Sequence, residues 1–264
     1  MNPDPLTRQT RSANVLGAAI GVAGFIGAWE LIYRIWQPPD YLFPSFGSVL
    51  AAIWREQSLI VKNMSITGYE VVISFAVAVI AGLAGALVLH LWPRLAKTLL
   101  PFILFVQTTP TIALAPVLIV LFGLGLLSKV IIAVLIAFFP MLINSYVGFQ
   151  SLDHDALELA RSMHVGRLEL LSRFEFPAAL PQVFIGAKIA MTYAVVGAVV
   201  AEFMSSNSGL GNLLLVATGA LDGALALGAL VVLSVEGLML YWLVALVEGL
   251  VIPWHISHRR ELSQ

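Results

Sequence analysis

The sequence predicts an all-α polytopic membrane protein with six transmembrane helices, and three observations carry that prediction. Of 264 residues, 59% are hydrophobic and 11% are charged, against roughly 45–50% and about 25% in soluble globular chains. The 14 Lys and Arg and 15 Asp and Glu are too few to coat a soluble globule of this length, so lipid is the main solvent. Apolar stretches of about 20 residues, enough to cross a hydrocarbon core of roughly 30 Å, recur six times along the chain. The net charge of −1 argues against a nucleic-acid binder, which brings a basic excess. With no cysteine, disulfides, thiolate metal sites and Cys nucleophiles are excluded.

The first span runs from about Val15 to Trp36 and is too long, and too polar at Glu30 and Arg34, for a cleaved signal peptide. The second covers Tyr69–Leu91, the third Leu99–Phe122 and the fourth Val130–Phe149. The fifth covers Pro181–Met204 and the sixth Ala224–Val251. Small residues at helix-packing spacing (Gly17 and Gly21, Gly82 with Ala86, Gly186 with Ala190, Gly197 with Ala201) are expected to let backbones approach closely. The third span differs. Its stretch Gln107–Pro116 holds Pro110, Pro116 and three threonines at membrane depth. Each proline removes a backbone donor, so the stretch is either a kink satisfied by Thr hydroxyls or broken backbone lining a wet path.

Two segments are not expected to span. Phe43–Met64 reads as an amphipathic surface helix with Ser45 or Ser48 as N-cap and a stripe of Val49, Ile53 and Ile60. Leu152–Phe176 is the one long polar stretch, between spans four and five. Asp153 or Asp155 caps its start, and Ala156, Leu159, Met163, then Leu170, Leu171 and Phe174 after a break near Gly166, form a helical apolar face. With the N-terminus cytoplasmic, Arg8, Arg11, Arg94, Lys97, Arg161, Arg167, Arg173, Arg259 and Arg260 share its side, and Arg34, Arg55, Lys62 and Lys129 fall outside. That excess places both termini in the cytoplasm.

No catalytic constellation assembles: there is no G-x-S-x-G, no H-E-x-x-H, and no Walker A around any of the four lysines. The histidines (His90, His154, His164, His255, His258) read as interfacial side chains. Glu30, Glu70 and Glu248 are expected to snorkel from span ends. Lys188 is placed to pair with a carboxylate such as Glu248, and mid-span Glu236 must face protein or water, with Lys188 as another partner for it.

Glu158-Leu159-Ala160, three residues, His164, nine residues, then Phe174-Glu175-Phe176-Pro177 resembles the EAA loop of bacterial ABC importer permeases. Leu159 stands where that loop has its first Ala, and His164 where it has Gly, with Gly166 two residues later. The resemblance extends from Leu42 to the C-terminus. Leu42–Ile53, Pro110–Lys129 and Pro177–Gly211 are similar to the nitrate, taurine and sulfonate branch, with Leu121 and Lys188 where Trp and Arg are common. Gln107-Thr108-Thr109-Pro110 and Phe138-Phe139-Pro140 look at least as much like permeases for pyrimidine-type vitamin precursors.

The resemblance implies the type I importer permease fold, with a cytoplasmic arm over 1–14, a six-helix permease domain over 15–252 carrying a coupling loop at 152–177, and a cytoplasmic tail over 253–264. It implies a multi-pass protein of the bacterial inner membrane, working with a second permease copy, two ABC ATPase subunits and an extracytoplasmic substrate-binding protein. The chain itself would bind no cofactor, ATP and Mg²⁺ belonging to the ATPase. ATPase contact would fall to Glu158, Leu159, Ala160, Arg161, Met163, His164 and Gly166, and the substrate pathway to Gln107, Thr108, Thr109, Thr111 and Glu202. Binding-protein contact would fall to Ser205, Ser206, Asn207, Gly209 and Asn212, with the loop at 122–127. The cargo would be a small polar solute, a sulfonate-, taurine- or nitrate-like anion or a pyrimidine-type precursor. Two rivals use the same features: an ion-gradient-driven transporter coupled through Glu202, Glu236 or Lys188, and a non-transporting scaffold that recruits an enzyme to the polar loop.

Overall fold

The computed structural model describes residues 5–163, 165–205 and 207–253, with backbone alone for 5–16, 18, 19, 22, 161 and 205. It is helical throughout its described regular structure. Helix α1 (Pro5–Trp36) is followed by α2 (Phe46–Arg55), α3 (Gln57–Leu91) and α4 (Pro93–Thr108). A 3₁₀ turn (Thr111–Leu114) leads into α5 (Ala115–Phe122), then α6 (Leu126–Phe149) and α7 (His154–Ser162). Helix α8 (Arg167–Leu170) continues through a π turn (Leu171–Glu175) into α9 (Phe176–Ser205), and α10 (Leu210–Gly219) and α11 (Gly223–Val251) complete the chain.

Among the described residues, four helical runs are long and apolar enough to cross a membrane: α3, α6, Arg167–Met204 and α11. The pair α4 and α5 makes a fifth if it is one span, but it is bent by 80°. The third span is therefore no continuous helix over Leu99–Phe122. Pro110 cannot donate to the turn before it, and Thr109 ahead of it is extended at φ −68°, ψ 133°, the conformation a following proline imposes.

The core forms where α3, α6 and α9 meet. Ala78, Ala86, Ala137, Ala190, Ala194 and Ala198 are fully buried there around Met141 and Phe149. Such small side chains permit the close backbone approach that drives helix association in lipid. Gly197 is the tightest case: a Cβ on it would lie 2.5 Å from the Cα of Ala133 on α6. Gly82 and Gly186 likewise face α6, whereas Gly17 and Gly21 have nothing within 4 Å. Those two pack against no other described residue.

The amphipathic segment differs from the expected surface helix. Ser45 does cap α2, its Oγ accepting from Ser48 N at 3.0 Å, and Val49 and Ile60 are buried. The chain turns at Glu56, however, and Gln57–Met64 already belongs to α3. Nor do Glu70 and Glu248 snorkel. They are 3% and 5% exposed, because each has a lysine partner inside the bundle. Helix α1 is tied to the rest through Trp29, whose Nε1 donates to Pro44 O at 2.9 Å and whose ring packs against Phe43 and Phe46.

Candidate functional site

The polar loop between α6 and α9 is held rigidly at one end of the bundle. Gly166, at φ −67° and ψ 154°, breaks the helix and starts α8, as its position in the sequence suggests. Arg167 Nη2 donates to Leu91 O at 2.6 Å, closing the C-terminal turn of α3, where a cation also complements the helix dipole. His90 Nε2 lies 2.8 Å from Glu175 Oε2, and the His90 ring stacks on Phe149 at 5.3 Å. The loop is thus fastened to α3 at the first residue of α8 and again in the π turn that follows it.

Beside the exposed polar residues His154, Asp155 and Glu158 of α7, three large apolar side chains stay uncovered: Leu159 on α7, Met163 just after it and Leu168 on α8. Leu159 is 62% exposed, Met163 66% and Leu168 79%. Glu158 is exposed and pairs with His154 at 3.2 Å, a contact worth little in solvent. Ala160 is 1% exposed; its methyl group lies inside the chain, so it positions α7 rather than offering a surface. His164 and the side chain of Arg161 lie outside the described residues.

The opposite end of the bundle holds a buried polar network. Glu202, fully buried, accepts from Thr67 Oγ1 at 2.7 Å and from Gly211 N at 2.6 Å. Leu210 N donates to Thr67 Oγ1 at 2.8 Å, and Gly209 N to Asn63 Oδ1 at 2.7 Å. Side chains of α3 and α9 thereby satisfy the first N–H groups of α10, which would otherwise be orphaned. Gly209 has φ +104°, and any Cβ there would overlap the Glu202 carboxylate. Beside this network Lys129 Nζ lies 2.5 Å from Glu70 Oε1, in a polar-walled cavity of ≈ 490 Å³ lined also by Gly125, Asn207 and Ser208. Glu236 is buried; its Oε2 finds no partner among the described residues. Lys188 pairs instead with Glu248, at 2.9 Å.

The expected site residues therefore separate. Glu202 lines no open surface and belongs to the buried network. Asn207 is exposed, Asn212 half-buried and Gly209 buried, while Ser206 and the side chain of Ser205 lie outside the described residues. At the break in the third span, Gln107, Thr108 and Thr109 are exposed and Thr111 is half-buried. Thr108 and Thr109 both donate to Phe105 O, at 2.7 and 3.4 Å. Hydroxyl satisfaction of freed carbonyls and an exposed break thus occur together. Sequence reasoning missed Asn63, Thr67 and Lys129. The available signal was an acidic residue seven positions before Gly209-Leu210-Gly211.

Residues 74–252 match the family model described as binding-protein-dependent transport system inner membrane component. A probable ABC transporter permease protein of Haemophilus influenzae is 32% identical over 81% of this chain and 87% of its own length. The formylaminopyrimidine transport permease protein ThiX of Halalkalibacterium halodurans is 31% identical over 86% of this chain and 90% of its own. The riboflavin transport system permease protein RibX of Chloroflexus aurantiacus is 40% identical over 62% of this chain and 61% of its own.

Proposed function

Because this chain belongs to the binding-protein-dependent transport system inner membrane component family and is the permease subunit of an ABC importer, we propose that it works as a six-span homodimer driven by two ATPase subunits on its cytoplasmic loops. In this reading α1 is the first span, residues 1–14 and 253–264 are cytoplasmic, and residues 15–252 form the permease domain. The loop at 152–177 docks in the ATPase, which supplies ATP and Mg²⁺.

The observation that carries the proposal is the apolar surface of Leu159 and Met163 on a loop fastened to α3 through Arg167 and His90. A helix with an uncovered apolar face suits a groove in a partner protein, and the same ATPase contact would take in Glu158, Arg161, His164 and Gly166. Because α8 runs through the π turn into α9 without interruption, force that α7 passes to α8 across the Gly166 break is carried straight into a membrane helix. ATP closure of the ATPase pair would then swing the permeases outward to take solute from the binding protein. That protein would meet Asn207 and the loop after α5, and Gln107, Thr108, Thr109 and Thr111 would line the path. Their neutrality, with the relatives named for formylaminopyrimidine and riboflavin, favours a nitrogen heterocycle over an inorganic anion as cargo.

The test uses the assembled transporter in proteoliposomes. Leu159→Asp and Met163→Asp change exposed positions, so the permease should insert normally while solute-stimulated ATP hydrolysis falls at least tenfold. Unimpaired hydrolysis in both variants would overturn the docking assignment. Ala160→Asp is uninformative here, because it buries a charge inside the chain.

A further inference from the structure

We infer that the corner between α3 and α4 is a binding site for an anionic phospholipid, with its acyl chains in an apolar trough and its phosphate between Arg94 and Arg167. The trough consists of two adjoining cavities that share Leu91 and Trp92. One, of ≈ 930 Å³, is lined by Val88, Leu91, Trp92, Pro93, Arg94, Leu95 and Thr98. The other, of ≈ 320 Å³, adds Arg167, Leu168 and Leu171. Trp92 is 58% exposed and Leu168 79%, so the walls are apolar and open to the outside.

Position and charge select the occupant. At about 1.5 Å per residue, the 35 residues of α3 extend roughly 52 Å, well beyond a core of about 30 Å. The corner after Leu91 therefore reaches the headgroup level, where an exposed tryptophan such as Trp92 anchors a helix. No acidic residue lines either cavity. The acids nearest in the chain to Arg167 on α8 and the π turn are engaged, Glu175 with His90 and Glu169 with Arg173 at 3.3 Å. Arg94 has no ion-pair partner among the described residues, and Arg167, which lines the smaller cavity, spends one Nη on Leu91 O. Basic groups flanking a groove between membrane helices suit an anionic headgroup, and planar guanidinium forks suit phosphate. A bound lipid would bridge the end of α3 to α8, the segment that carries motion from α7 into α9.

Assignment to the cytoplasmic leaflet rests on the orientation proposed above, but binding does not, so the test is made without ATPase subunits. The full-length permease is extracted from mixed phosphatidylglycerol and phosphatidylcholine membranes, and retained lipid is counted by native mass spectrometry. Wild type should retain phosphatidylglycerol in preference. Arg94→Gln should lower that retention about fivefold and Arg94→Gln with Arg167→Gln further, the weight of about one basic group each, with phosphatidylcholine unchanged. Arg55→Gln, at the other end of the bundle, should change nothing. Because Arg167 also closes α3, a second readout uses Arg94→Gln alone: brominated phosphatidylglycerol should quench wild-type fluorescence more than brominated phosphatidylcholine, and Trp92→Phe or Arg94→Gln should abolish that difference. Equal retention of the two lipids, or retention indifferent to Arg94, would overturn the proposal.

Discussion

Thr67 and Glu202, 135 positions apart, share a 2.7 Å hydrogen bond in which the threonine hydroxyl donates to the carboxylate. The same hydroxyl accepts from Leu210 N at 2.8 Å, so its proton has one direction to point and both of its roles are occupied. One side chain thus joins α3, α9 and α10.

Thr67→Val keeps the shape and orphans two buried groups, Leu210 N and Glu202 Oε1. The expected loss is about 1–3 kcal/mol, read as a lowered thermal midpoint of the purified permease. Thr67→Ser, which keeps the hydroxyl, should lose much less; equal losses would show that the methyl group and not the hydrogen bonds carries the position.

Gly209→Ala combines φ +104° with overlap on the Glu202 carboxylate. It should cost more than the roughly 1 kcal/mol of an ordinary glycine replacement at positive φ and sharply reduce the yield of folded protein. Gly219→Ala, with nothing within 4 Å, is the control and should be neutral in the same membrane-insertion and gel-filtration assays.

Lys188 and Glu248 form a buried pair, with side chains 13% and 6% exposed. Lys188→Met or Glu248→Leu alone leaves an uncompensated charge and should cost about 3–5 kcal/mol, whereas the double variant should recover most of it. A double-mutant cycle on thermal stability reads the recovery directly.

Glu236 is 5% exposed and its Oε2 has no partner among the described residues. Replacing it by Gln removes an expensive buried acid while retaining its volume, so stability should hold or rise. If uptake also stays at the wild-type rate, Glu236 has no part in coupling.

The membrane character, the polar loop and its break at Gly166 were legible in the sequence because each depends on a local window of residues. Hydropathy over about 20 positions identifies a span, and the loop stands out because Asp153, Asp155, Glu158, Arg161, Arg167, Glu169, Arg173 and Glu175 cluster in a chain otherwise poor in charge. The 80° bend of the third span was half legible: Pro110 announced a disruption, but whether α5 follows α4 or departs from it is decided by what each packs against.

Partners across the bundle were not legible. Lys129, counted as a loop residue, meets Glu70 across 59 positions, and Glu202, taken for a pathway residue, is consumed by α10. Sequence periodicity carries which residues are apolar and which face of a helix they share. It does not carry helix rotation and depth, and in lipid these follow from close contacts such as Gly197 on Ala133. Once those contacts set the helices, Glu70 and Glu248 meet the lysines brought within reach and Glu202 a hydroxyl and a backbone N–H, as buried carboxylates at low dielectric require. The family and its transport role could therefore be read along the chain, whereas the pairing of its intramembrane charges belonged to the tertiary structure alone.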